Sequence, residues 1–274
     1  MYFLITDAAY DYEDNPTHTS INLDHKGEGQ IITLAGDTLF KAFSYESEFE
    51  FTTEDEISRF KHMYFEPRSE NSKIYTELKP ETRLHQVIVV IPIFTLSAYA
   101  ESGFYDYYNG KCDSCLEAKI RFDLPPTFES SDNSIKILRL LDYPYLTDIE
   151  VDKNPSILEK YDKIILLHNE YVTKVEFDAI TSHSKVIYLH PNALYAEVNV
   201  NYENNTISLK RGHGYPQSNI KNGFEWKFDN SDLEYNNCQN GWSFYEIDNG
   251  IMLNCYPENI IFNDYDLLKR IKDY

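Results

Sequence analysis

Tyr161-Asp-Lys-Ile-Ile-Leu-Leu-His-Asn-Glu-Tyr-Val-Thr-Lys-Val-Glu176 holds a strand, a polar tip and a helix start in one short run. Ile164 to Leu167 are apolar without alternation, the pattern of a strand covered on both faces. Thr173 and Glu176 have the spacing of a capping box, and Val172 and Phe177 stand where a hydrophobic staple would bracket it, which predicts a helix from Lys174. His168, Asn169, Glu170 and Tyr171 are then left at the carboxyl end of a strand, the edge at which open α/β sheets bind ligands.

Working outward, the second half of the chain reads as strand, helix, strand. Ile135 to Leu141 is expected to be a strand ending in Asp142-Tyr143-Pro144. Asn154-Pro155 supplies an N-cap and a proline at the first helical position, and Val186 to Leu189 is a strand ending in His190-Pro191-Asn192. Such alternation implies a mainly parallel sheet. Hairpins are expected at 198–209 and 242–255, Phe224 to Phe228 reads as an aromatic edge strand packed on the core, and Asp266 to Lys272 reads as a closing helix with Leu267, Leu268 and Ile271 inward.

The first half has a different texture. Phe43, Tyr45, Phe49 and Phe51 alternate with polar residues, as in strands with one wet face, and Gln86 to Ile91 forms a buried strand ending at Pro92. The Pro pair and Ser/Asp/Asn cluster of Phe122 to Ser134 have linker composition. The expected organisation is therefore a β-rich, sandwich-like domain over residues 1–130 and an α/β domain over 131–274.

Composition narrows the partners. The formal charge of −20, with 45 acidic against 25 basic residues, argues against a phosphate-backbone partner, because lysine and arginine must neutralise phosphates. The same charge suits metal ions and cationic or neutral polar ligands. No run reaches the roughly 18 apolar residues of a membrane span, and Met1-Tyr-Phe-Leu-Ile lacks the basic flank of a signal peptide. Tyrosine and asparagine enrichment fits an extracellular or cell-surface protein, whereas the Asn204-Asn205-Thr206 sequon, a triplet that arises often by chance, carries no weight.

If the three strands beginning near Ile135, Lys163 and Val186 are parallel neighbours, Asp142-Tyr143, His168 to Tyr171 and His190 to Asn192 share one edge. Such a set suits a metal, since His, Glu and tyrosinate are competent N/O ligands, or proton transfer by His168, Glu170 and His190. It also suits plain loop capping. Cys112-Asp-Ser-Cys115, Cys238 and Cys255 allow three disulfide connectivities, one four-thiolate zinc site, or buried free thiols. Disulfides are the favoured reading, with Cys238 joined to Cys255, and that implies an oxidising compartment. Arg211-Gly-His-Gly-Tyr-Pro216 reads chiefly as a turn, though its glycines also allow His213 to reach the same crevice. No Gly-x-Ser-x-Gly occurs and the strand-to-helix turn has no thiol, which argues against acyl-enzyme chemistry.

His168-Asn-Glu-Tyr171, followed by Pro191-Asn-Ala-Leu-Tyr-Ala-Glu197, is similar to the His-x-Glu-Tyr and Asn-x-x-Tyr segments of the large-subunit carboxyl-terminal domain of N,N-dimethylformamidase. The whole chain also resembles archaeal proteins carrying this domain. The resemblance covers about residues 134–274 and implies a class I glutamine amidotransferase-like fold. It further implies a mononuclear iron held by two tyrosines and a glutamate, and hydrolysis of a small amide. Tyr171 matches one tyrosine by motif; Tyr143, with Glu170 or Glu197, completes the set from the expected convergence. Val172 and His190-Pro191 depart from the family's usual tryptophan and glycines. Two functions follow: a divergent hydrolase of a small amide carbon-nitrogen bond, or a non-catalytic surface protein that binds another protein or a glycan.

Overall fold

The computed structural model describes residues 38–45, 62–81, 86–112, 115–122, 124–238 and 240–274 with their side chains, and the backbone of four strands at 21–24, 31–34, 49–52 and 57–60. The strands are β1 (Ile21–Asp24), β2 (Ile31–Leu34), β3 (Phe40–Tyr45), β4 (Phe49–Thr52), β5 (Ile57–Phe60), β6 (Tyr64–Pro67), β7 (Val87–Ile91), β8 (Glu117–Lys119), β9 (Tyr145–Thr147), β10 (Lys163–Leu166), β11 (Tyr171–Val172), β12 (Val186–Tyr188), β13 (Ala196–Asn201), β14 (Thr206–Arg211), β15 (Phe244–Ile247) and β16 (Gly250–Leu253). The helices are α1 (Ser72–Leu78), α2 (Ile93–Tyr99), α3 (Phe104–Tyr108), α4 (Asp132–Leu140), α5 (Asp148–Lys153), α6 (Lys174–Ser182) and α7 (Tyr265–Asp273).

The fold is mixed α/β. Its main sheet has the order β15-β16-β12-β10-β7-β9. All neighbouring pairs in it are parallel except the antiparallel β15–β16 edge. Alternate residues of the parallel strands enter two cores, which is why these strands read as unbroken apolar runs. Val87, Val89, Ile91, Ile165, Ile187 and Ile251 face α4 and α7, while Ile88, Val90, Ile164, Val186 and Met252 face the side that holds Val151 of α5 and Ile180 of α6. A second sheet, β11-β13-β14-β8, packs its Tyr171, Val198 and Ile207 with Phe94 and Ala98 of α2. A third, β1-β2-β3-β6, brings Phe40, Ala42 and Phe65 onto the first core.

Several expectations are realised. Thr173 caps α6 through the reciprocal box with Glu176, the hairpins are β13–β14 and β15–β16, and Leu267, Leu268 and Ile271 of α7 are buried. Cys238 pairs with Cys255 and Cys112 with Cys115.

Others are corrected. Ile135 to Leu141 is not a strand: Asp132–Leu140 is a helix, because Ile135, Leu138 and Leu141 recur at the i, i+3 spacing and are buried, while Lys136 and Arg139 point away. Lys136 pairs with Asp132 one turn earlier. The helix ends at Asp142, which has the left-handed φ of 60° common after a helix. Gln86 to Ile91 supplies β7, an interior strand of the parallel sheet between β10 and the edge strand β9, so that sheet draws strands from both sides of residue 130. In β3 the inward face is Phe40, Ala42 and Ser44, and Tyr45 is exposed. Phe40 and Ala42 meet the main core, which fixes the parity, and the buried Ser44 hydroxyl donates to His62 O at 2.6 Å. The side chains of Phe49 and Phe51 lie outside the described residues. Phe224 to Phe228 forms turns rather than a strand, with Phe224, Trp226 and Phe228 packed on the core as expected.

Candidate functional site

The chain enters the main sheet at β7, places β9 on one flank, then β10, β12 and β16 on the other. The switch in direction lies at β7, and a crevice at the carboxyl ends beside such a switch is where α/β folds take ligands. β7 leads through Pro92 into α2, which carries Thr95 and Tyr99; β10 leads into His168 to Tyr171.

Glu170 is the centre of that edge. Its backbone N–H and that of Tyr171 donate to the Thr95 hydroxyl at 3.0 and 3.2 Å, and its carbonyl accepts from Tyr195 and Ala196 at 3.0 and 2.9 Å. Glu170 is fully buried. Its Oε2 accepts the Tyr99 hydroxyl at 2.8 Å, Tyr105 donates to Tyr99 at 2.7 Å, and Oε1 meets His213 Nε2. Burial acts to raise the Glu170 carboxyl, but His213, then His168 and the Tyr99 hydroxyl, outweigh it and hold it below the usual range. Burial, and next the Glu170 charge, push Tyr99 and Tyr105 up, so both stay phenols at neutral pH.

His168 Nδ1 lies 2.6 Å from the Glu129 carbonyl. A carbonyl only accepts, so Nδ1 carries the proton and Nε2 presents its lone pair. That Nε2 is buried without a hydrogen-bond partner, 3.8 Å from Glu170 Oε2. Glu234, in the loop after β14, completes a group: one ligand atom each from His168, Glu170 and Glu234 lie within 4.8 Å of one another. Burial and the Glu170 charge raise Glu234 to about 7.

His190 ends β12 beside His168, ring centroids 6.1 Å apart, and its Nε2 is 3.0 Å from Glu258 Oε1. Glu258 also accepts Asn133 N at 2.7 Å, Ser134 N at 3.2 Å and the Ser134 hydroxyl, so it caps α4 from a distant segment. Burial lowers His190 to about 3. Tyr256, from the end of β16, packs edge-on to both imidazoles.

The expected residues His168, Glu170, Tyr171 and His190 therefore stand at one edge. Tyr171 turns aside, its hydroxyl 3.4 Å from Tyr108 and its ring stacked on His213. Tyr143 is at the opposite rim: it precedes β9, donates to Leu78 O at 3.1 Å, and neighbours Lys163 and Lys185 at the amino ends of the strands. Asp142 is there too, paired with Lys79. Both were carried across the sheet when their segment became a helix. Glu197 pairs with Lys210 rather than with Glu170. Sequence reasoning missed Tyr99, Tyr105, Glu234 and Glu258. Tyr99 and Tyr105 follow a buried strand, an unbroken apolar run like the one that located His168, and assigning β7 to the parallel sheet would have found them.

A mixed α/β domain with a buried carboxylate, phenol and imidazole set at the carboxyl edge of its parallel strands defines the class. The family model described as N,N-dimethylformamidase beta subunit-like, C-terminal, matches residues 46–226, and the chain belongs to that family. The match begins well before residue 134 and so takes in β7 and Tyr99. No curated protein matches the chain.

Proposed function

We propose that the protein is a divergent hydrolase of small amide carbon-nitrogen bonds, assisted by a metal ion near Glu170, on a glutamine amidotransferase-like fold. The observation that carries this reading is the run of Tyr105, Tyr99 and Glu170, two phenols and a carboxylate joined by hydrogen bonds of 2.7 and 2.8 Å beside an unpartnered His168 Nε2. This donor set fits an ion held by two tyrosines and a glutamate, with Tyr99 and Tyr105 in the roles that the sequence alone assigned to Tyr171 and Tyr143. Bound there, a metal would polarise the amide carbonyl and acidify a water. Thr95 and the β13 amides fix the Glu170 backbone, and His213 fixes its carboxylate. His168, neutral and with Nε2 free, adds a nitrogen donor to that set; His190, tied to Glu258, supports its ring. The two closed cystines favour an oxidising compartment, and the substrate is a small polar molecule.

The test is elemental analysis of protein purified without chelator, a search for a tyrosinate-to-iron absorption band, and turnover of formamide and N-methylated formamides. Stoichiometric metal that is lost in Tyr99→Phe and Glu170→Gln, together with turnover, supports the reading. Absence of both overturns it in favour of a non-catalytic binding protein.

A further inference from the structure

Glu234 reaches the site on a segment with little structure of its own. Residues 231–238 contain one 3₁₀ turn, Ser231–Leu233, and no strand pairing. Three ties fasten the segment to the end of β16. Asn236 Nδ2 donates to Asn254 O at 3.0 Å, Tyr256 N donates to Asn236 O at 2.6 Å, and Cys238 is joined covalently to Cys255. Asn254, Cys255 and Tyr256 leave the sheet at the same edge as His168 and Glu170, so the anchor and the site share one platform.

We propose that this segment is an arm that supplies Glu234 as a ligand for a divalent cation shared with His168 and Glu170, and that the Cys238–Cys255 bond holds the arm in register. The inference rests on the metal centre of the reading above but adds a ligand and a condition to it. The geometry is that of a cation site: buried His168 Nε2 has no hydrogen-bond partner, and one ligand atom each of His168, Glu170 and Glu234 lie within 4.8 Å of one another. The covalent tie is four residues from Glu234, and a chain of that length spans up to about 13 Å when released. Without it, the arm is fastened to the end of β16 by the two Asn236 hydrogen bonds alone, and Glu234 is held less firmly over the site.

Zinc binding read by titration calorimetry tests this in four proteins: wild type, Glu234→Gln, Cys238→Ala/Cys255→Ala, and the triple variant. Wild type is expected to bind one Zn²⁺, and Glu234→Gln at least about tenfold more weakly, in line with losses seen on removing groups that support a metal site. The double alanine variant should lose a similar factor, and the triple variant no more than either. A double alanine variant that binds like wild type, losses that multiply in the triple variant, or a wild type that takes up no Zn²⁺ overturns the proposal. If the double variant does not fold, Asn236→Ala replaces it in the same cycle, since it loosens the same anchor and leaves the cystine intact. A protein that obeys the cycle yet hydrolyses no amide refutes the hydrolase and leaves the arm standing. Hydrolysis with Zn²⁺ affinity unchanged by Glu234→Gln does the reverse.

Discussion

Replacing Glu258 by glutamine tests how the buried polar layer behind the site is held. Burial raises the Glu258 carboxyl to about 8 against the hydrogen bonds from Ser134 and Asn133 that lower it. An acid raised in this way binds its proton more tightly folded than unfolded, so its contribution to stability is present at low pH and falls as pH climbs from the unfolded value toward 8. His190 acts in the opposite sense: lowered to about 3, it makes stability rise until the unfolded histidine loses its proton near 6.5. Above about pH 6.5 that opposing term is constant, which leaves the interval up to about 8 to Glu258. At about 1.36 kcal/mol per pH unit, wild type should lose about 2 kcal/mol across it. Glutamine is isosteric and does not titrate. Urea unfolding of both proteins at pH 6.5 and pH 9 should therefore show Glu258→Gln gaining about 2 kcal/mol relative to wild type at the higher pH. A difference that is independent of pH, or one that moves toward wild type, refutes the reasoning and means that Glu258 is ionised throughout.

Other outcomes follow from packing and capping. In Gly250→Ala the new Cβ would stand 1.8 Å from Val186 O on the adjacent parallel strand; the strands must separate, and thermal melts should show a loss on the order of 3 kcal/mol or no soluble protein. Leu138→Ala, in the core face of α4 and almost fully buried, should cost about 2 to 5 kcal/mol in urea unfolding, whereas Arg139→Ala should cost under about 0.5 kcal/mol. Thr173→Ala removes the cap of α6 and a hydrogen bond to Asp152, and a loss of about 1 to 2 kcal/mol in the same assay is expected.

The sequence made β10, α6 and β12 legible because each carries its evidence locally: an unbroken apolar run, a capping box, a run ended by His-Pro. Those elements place His168, Glu170 and His190 correctly. The run Ile-Lys-Ile-Leu-Arg-Leu-Leu was ambiguous, since it alternates like a strand and also repeats at three residues. The helix is favoured by the core that takes Ile135, Leu138 and Leu141 on one face and by Glu258, more than a hundred residues away, which caps its first amides. That long-range partner leaves no local trace, and the error moved Tyr143 and Asp142 to the wrong rim. Tyr99 escaped for a related reason. Its strand was legible, but a strand does not announce which sheet it joins, and the composition of the first half groups β7 with the alternating strands before it. Glu234 sits in a loop with no periodic pattern at all, brought inward by a cystine whose pairing the sequence favoured without showing where it would lead.

The position of β7 also bears on how the chain emerges from the ribosome. Its two lateral partners are β9 and β10, and β10 lies about 70 residues downstream, a delay of about 4 to 15 s at ordinary synthesis rates. Until β9 emerges Val87-Ile-Val-Val-Ile91 has both edges open, and until β10 follows it keeps the β10 edge open, an apolar ribbon of the composition that stacks with copies of itself. Holding by a chaperone during translation, or slower expression at low temperature, should therefore govern the soluble yield more than any property of the finished molecule.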